Sequence, residues 1–573
     1  MANSNGWGDG AANNTIGWGQ GANNAIGWGS VYAVSDAGRT DIIGVTATPP
    51  VNTVAPVISG STTVGSVLTS TDGTWSGTPT SFAYQWYRGL VQIFGETLNT
   101  YTLVSADLAQ NITCQVTATN AVGSTAATSN IIIATSTPFA FTANTNNTSA
   151  GSSTATQFKL PLTTSTGLNI VVSWGDATTS TITNHLDAAV THTYASAGTY
   201  SISITGTLPG WQFANTGDRL KILNIASYGV LNITTNSIFR GCTNLISNAT
   251  DAPTITTTDL SSTFRSCTNF NSNVGSWNVS AVTNMNSMFN SATAFNNGGS
   301  SSIGSWNTSA VTNMSSMFSV ASVFNKPLTW NTSAVTNMSG MFSFAYAFNS
   351  TLTFTSTALV TDMSALFSGS TAFNQPLSFN TASVTTMSSM FSNTPNFNQA
   401  LTFDTSAVTT MSFMFYNATN FNSTLTFTST ALVTDMSSMF RNASVFNQPL
   451  SFNTGAVTNM SAMFQDASAF NSTLTFNTGA VTNMSNMFSN ATAFQQNLGA
   501  WNVANVTNFA SFMSTKTPAT FSTTNLDAIY NGWVTVQSSR TISFGTAKYS
   551  AAGVAGRAFL TGTKLWTITD GGL

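Results

Sequence analysis

Ten units align on the pattern Val-Thr-Asn-Met-x-x-Met-Phe, five of them letter for letter, and their starts, from Val282 to Val506, are separated by 29, 24, 25, 24, 24, 25, 24, 24 and 25 residues. Two weaker units precede them, because Phe239 and Phe264 hold the phase of Phe289. A unit this short cannot bury its own apolar face, so successive units must stack into a solenoid. Within a unit, Leu328-Thr329-Trp330 and Leu352-Thr353-Phe354 alternate as a short strand does. Met338, Met341 and Phe342 stand at i, i+3 and i+4, the spacing of one helical or 3₁₀ turn. Phe324, Phe348 and Phe373 then return to the core, and the strict phase of Met and Phe marks packing rather than a ligand box. Asn313, Asn337, Asn459 and Asn483 share one phase with Asp362, Asp435, Thr386 and Thr410. All are short polar groups suited to satisfying a bending backbone, and too few are acids for a calcium row.

Charged residues make up 5% of the 573, against about 25% in ordinary soluble proteins, yet 42% are hydrophobic and 40 are Phe. Low charge with this much apolar content describes a folded chain with a polar, uncharged surface. The 14 basic residues form no stripe, which argues against nucleic acid. No apolar run approaches the roughly 18 residues of a membrane span, so no membrane insertion is expected. The start, MANSNGWGDG, lacks the basic and apolar parts of a secretory signal. Export with an assembled particle at host lysis is the expectation.

Catalytic material is sparse. Glu96 is the single glutamate, His185 and His192 are the two histidines, and neither a GxSxG elbow nor a phosphate loop occurs. Cys114, Cys242 and Cys267 cannot form a disulfide framework and include no CxxC pair. The expectation is a protein that is not an enzyme, with no cofactor and no metal.

The chain reads as mostly β, in five regions. Residues 1–46 are a Gly/Trp-rich anchor in which GWG recurs at Trp7, Trp18 and Trp28. These tryptophans either pack against other subunits or a docking partner, or form a small β-meander of their own. Residues 55–136 and 137–212 show the short alternating strands of two β-sandwich domains. Residues 213–515 form a leucine-rich-repeat-like solenoid of 24–25-residue coils, and residues 516–573 a C-terminal cap whose core draws on Trp533, Phe544, Tyr549 and Trp566.

Four resemblances add to this. Tyr84-Gln85-Trp86-Tyr87 and the later strand from Ile112 to Ala118 resemble an immunoglobulin-like domain, although Cys114 has no partner cysteine on an earlier strand. Gly175-Asp176, His192, Tyr194, Gly198 and Tyr200 resemble the PKD family, in which these residues are structural. The units reading VTNMSSMF and FNQPL resemble BspA-like leucine-rich repeats, with Cys242 and Cys267 at a small buried position that Ala292 and Ala321 occupy later. GWGQGANNAIGWGS followed by SDAGRTDIIG resembles the N-terminal segments of phage tail and fibre proteins.

Together these imply a virion-surface fibre or appendage protein that docks on a virion or envelope partner protein through its N-terminal segment and attaches to host-surface glycan or protein. A bacterial cell-surface adhesin and a self-assembling decoration protein are the alternatives. A homo-oligomer, possible as a trimer, follows if the GWG segments intertwine. The longest coil carries an insertion, Asn297-Gly298-Gly299-Ser300-Ser301-Ser302, which makes Asn297, Ser300 and Ser301 the candidate ligand contacts.

Overall fold

Along Asn111–Asn120 every second residue from Ile112 to Ala118 is buried, the period-two pattern of a strand with one face on a core. The computed structural model describes residues 47–573 and is mostly β. The chain divides between Thr135 and Ser136 into two compact units. In the first, Ser81–Arg88 pairs antiparallel with Asn111–Asn120, which also pairs with Gly123–Thr128. A second sheet joins Ile58–Ser59, Val67–Ser70 and Thr100–Thr102. Leu68, Trp86, Tyr101 and Cys114 fill the space between. Trp86 opposes Cys114 in the register, lies 5.4 Å from the Tyr101 ring and donates its indole N–H to the Leu98 carbonyl at 2.8 Å.

The second unit opens with a six-stranded sheet in the order Thr179–Ile182, Asn169–Ser173, Thr199–Thr207, Phe139–Asn144, Ile222–Ser227, Ile246–Ser247. Ile222–Ser227 pairs antiparallel with Phe139–Asn144 on one side and parallel with Ile246–Ser247 on the other. It is the last strand of the sheet and the first of the solenoid. The boundary expected at residue 212 is therefore not a break: one apolar core runs from Phe139 to Trp566.

The wall read from Met-x-x-Met-Phe as a helical or 3₁₀ turn is instead two consecutive β-turns. Met317 N–H bonds to the Met314 carbonyl at 3.3 Å and Ala321 N–H to that of Phe318 at 3.0 Å, each an i→i+3 bond. The third residue of each turn, Ser316 and Val320, has φ of 54° and 59°. Positive φ at that place is the signature of a type II turn and stops a helix from propagating. It also turns alternate N–H groups outward. Met314, Ser316, Phe318 and Val320 donate to Asn337, Ser339, Met341 and Ser343 of the next coil at 2.7–3.0 Å, so no backbone donor on this wall is stranded.

The other walls are ladders too. Leu328–Trp330 pairs in register with Leu352–Phe354, and Leu401–Phe403 with Leu425–Phe427, all parallel. Single-residue parallel bridges run unbroken from Asp259 to Asn508. Inside, two columns of Phe rings climb the array. Phe342, Phe367, Phe391 and Phe415 stack at 5.5–5.8 Å, Phe348, Phe373, Phe397 and Phe421 at 5.8–5.9 Å, and the columns touch at 3.9–4.2 Å within each coil.

The array ends by degrees. Phe512 turns its ring 84° to Phe488 and breaks the first column. Phe509 bridges Ile542, and Thr541–Ser543 pairs parallel with Thr567–Thr569, so the solenoid ladder continues to residue 569 through the region expected to be a separate cap. Helix Thr523–Gly532, capped by Ser522, buries Leu526, Ile529 and Tyr530 against this end. Trp533, Phe544 and Trp566 are buried there, and Tyr549 packs on them partly exposed. Lys516 closes the second column. Its ammonium lies 5.9 Å from the Phe494 ring and donates to the carbonyls of Ala491 and, at 2.7 Å, Phe494. Among the described residues it forms no ion pair, and burial pulls this amine from the ordinary 10.5 down to about 8.

Two outcomes are expected. Phe391→Ala removes a ring from the middle of a column and should lower stability by about 3–5 kcal/mol in denaturant titration. Lys516 is protonated in both folded and unfolded chains below its folded value, and there its buried charge opposes folding. As pH rises the folded chain releases the proton first, so the Lys516 contribution to stability should climb from about pH 8 to about pH 10.5, read as the difference from a lysine-free variant because the buried Cys242 and Cys267 thiols pull the other way. Lys516→Met should flatten that climb.

Candidate functional site

The groups able to do chemistry are few, and their neighbours occupy them. The Gly175-Asp176 turn and the strand Thr191–Thr193 place His192 Nε2 2.8 Å from Asp176 Oδ2. Burial works against the Asp176 charge, but hydrogen bonds from Thr178 and His192 outweigh it and hold the carboxyl down to about 2. The His192 ring lies flat on Trp174 at 4.7 Å, and Tyr194 donates its hydroxyl to the Trp174 carbonyl at 3.0 Å. Stacked on Trp174, met edge-on by Tyr194 at 4.5 Å and bonded at its tip, the His192 ring ties the Gly175-Asp176 turn to the strand Thr191–Thr193. His185 is engaged apart from it, with Nδ1 2.8 Å from Ser165 Oγ. Glu96 belongs to the first unit, where its backbone joins a turn with Ile93 and Trp86.

Cys242 and Cys267 sit buried in neighbouring coils, with thiols pushed well up by burial, and Cys267 Sγ donates to the Phe239 carbonyl at 2.9 Å. Among the described residues no three His, Cys, Asp or Glu side chains gather closely enough to hold a metal ion. A cleft of about 360 Å³ between the sheet and the first coils is lined by Leu160, Pro161, Phe213 and Asp218. Asp218 is engaged there by the Ser153 and Lys159 backbone N–H groups at 2.7 Å and by buried Lys221 at 3.4 Å.

The phase of Asn313 and Asp362 serves local turns. Asn313 Oδ1 accepts from Ser315 N and Oγ at 3.0 and 2.7 Å, and Asp362 Oδ1 from Ser364 N and Oγ at 2.8 and 2.6 Å. A second polar file, at the Asn that follows the returning Phe, runs between coils. Asn325 N–H donates to Asn296 Oδ1 at 3.0 Å, Asn349 to Asn325 at 3.0 Å, Asn374 to Asn349 at 2.9 Å, and so on to Gln495 on Asn471. Its signal in the sequence is the Asn of every FNQ or FNS. A third file, of exposed threonines, sends Thr336 Oγ1 to the Thr312 carbonyl at 3.2 Å and repeats up to Thr507.

The three proposed contacts part company. Asn297 is buried. Its Oδ1 accepts from Val274 N–H at 2.9 Å, and its Nδ2 donates to the Ser300 carbonyl at 3.1 Å. It pegs the insertion to the preceding coil and has no atom free for a ligand, which corrects its assignment as a contact. Ser300 is half-buried against Ser302 Oγ at 3.0 Å, and Ser301 alone is exposed. Trp7, Trp18 and Trp28 lie outside the described residues.

The architecture defines a parallel β-solenoid repeat protein whose interior is filled by its own side chains and whose walls offer hydroxyl and amide groups. The chain belongs to the family described as Mycoplasma protein of unknown function, DUF285, whose model matches it in five overlapping stretches, residues 212–302, 233–354, 298–402, 352–451 and 425–527. No curated protein and no solved structure matches it.

Asn297→Ala strands the buried Val274 N–H and should lower stability by about 1–3 kcal/mol in thermal or chemical melts. Ser301→Ala should stay within about 0.5 kcal/mol.

Proposed function

We propose that this is a non-enzymatic attachment protein, displayed on a surface, whose solenoid walls bind host-surface glycan or protein. The observation that carries the reading is that the array's ring columns and buried hydroxyls are occupied by one another. The side chains left for a partner are those of rigid outer walls, largely uncharged Thr, Ser and Asn. Groups of this kind recognise by hydrogen bonds and shape, and rigidity lowers the ordering cost of binding. The repeats are of the BspA-like kind, with the immunoglobulin-like and PKD-like regions as spacers. Residues 1–46 are the docking segment, and their likeness to phage fibre N-termini favours a virion as the carrier, with a bacterial envelope as the alternative carrier.

Fluorescently labelled full-length chain is expected to bind cells of a susceptible host saturably, with loss of binding after periodate or protease treatment naming the receptor class. Absence of saturable binding to any cell surface would sink the reading. Peptides of the chain recovered from purified virions support the virion carrier, and recovery from a cell-envelope fraction overturns that part alone.

A further inference from the structure

Two positions of nearly every coil on the turn wall take positive φ, and the array fills all but four of them with small or amide residues, the four being Val320, Phe344, Phe413 and Asp466. Ser316, Ser389 and Ser438 hold the first, and Asn393, Asn417 and Asn442 the second. Phe413 stands at the first with φ 57° and Phe344 at the second with φ 56°. A bulky residue in this region is an outlier that persists where the surrounding structure holds it. Neither ring belongs to the core, and Phe344 and Phe413 remain 41% and 40% exposed.

The surroundings are fitted to these rings. The Phe344 ring lies over Gly369 of the next coil, where a Cβ would come within 2.5 Å of the ring and where the following coil carries Asn393. Tyr346, 47% exposed, meets Phe344 edge to face at 6.2 Å, and Phe413 meets Tyr416 in the same way at 5.8 Å. The Arg441 guanidinium rests 5.7 Å from the Tyr416 ring. Among the described residues Arg441 forms no ion pair, and its Nε is shielded from solvent without a hydrogen-bond partner. The two aromatic pairs are three coils apart, about 14 Å at the spacing of parallel strands. Small polar groups floor the gap: Asn393 Nδ2 bonds Ser392 Oγ at 3.1 Å, and Asn417 Nδ2 bonds Asn393 Oδ1 at 2.9 Å.

We infer that this stretch of the turn wall is a binding site for a carboxylated oligosaccharide, whose sugar rings stack on the Phe344–Tyr346 and Phe413–Tyr416 pairs while Arg441 takes a carboxylate. The inference rests on the attachment reading above and names its ligand class. Sugars present C–H faces to aromatic rings and hydroxyls to amides, so aromatic pairs on either side of a polar floor match their alternating surface. A guanidinium without a partner, already oriented by a ring, matches a carboxylate. A protein partner asks for a contiguous apolar centre, which the floor interrupts.

The test uses the full chain and calorimetry with oligogalacturonate, sialyllactose and neutral maltohexaose. Binding to at least one acidic probe is expected. Phe344→Asn with Tyr346→Ser, and Phe413→Ser with Tyr416→Ser, should each weaken it at least about tenfold, as loss of stacking and desolvated anchors does. Arg441→Gln should bring the acidic probe down to the affinity of maltohexaose. Each replacement is the residue that other coils carry at that position, so the variants should melt no lower than the parent chain. Parent chain that binds neither acidic probe, or variants that bind as the parent does, overturns the site. If the chain still binds host cells in that case, the attachment reading stands without it. If it binds no cells, both fall.

Discussion

The coil-to-coil hydrogen bond made by every second N–H of the turn wall is the constraint on which the rest of the solenoid depends. Once Met314, Ser316, Phe318 and Val320 donate to the next coil, adjacent coils are held one strand spacing apart in a single register. That register sets Phe on Phe, Asn on Asn and Thr on Thr. The ring columns and the Asn file are its consequences and would not align if a coil slipped by a residue. The 29-residue coil keeps the register by expelling its extra residues as a loop, which Asn297 then ties down.

Much of this was legible. The recurrence of Met, Met, Phe and Phe fixed which side chains face inward, because only a stacked array makes so strict a phase necessary. The turn wall was not legible in its conformation, since apolar residues at i, i+3 and i+4 suit one helical turn and two successive β-turns equally. The discriminating signal lay in the residues between them, where Gly and Asn, as at Gly340, Gly369, Asn393 and Asn417, tolerate positive φ. The joint at Ile222–Ser227 was hidden because ILNIAS carries no repeat motif, and a strand that pairs on both edges looks the same in sequence as one that ends a domain. Asn297 looked like loop surface because its insertion is Gly- and Ser-rich, and only the fold reveals the Val274 N–H beneath it. Phe344 and Phe413 were submerged among 40 phenylalanines, most of them core, although both stand off the core phase where other coils carry Ser or Asn.

Charge is handled in the same economical way. Buried ammonium groups stand near the two ends of the array and not in its middle. Lys221 is ringed by the carbonyls of Ser153, Thr154 and Gln157 with Asp218 at 3.4 Å, and Lys516 by those of Ala491 and Phe494. A lysine with three donors satisfies several carbonyls at once, and those bonds offset the cost of burying its charge. Between Lys221 and Lys516 no charged side chain of the array is buried.

The strand Ile222–Ser227, shared by sheet and solenoid, has a mechanical meaning. A hinge needs a segment with few crossing bonds, and here the backbone is bonded on both edges and the core passes through without interruption. Tension applied far along the coils would therefore reach the six-stranded sheet as through a single lever arm. The coils in between, each held mainly by its two neighbours, would yield one after another and absorb work before that joint gave way.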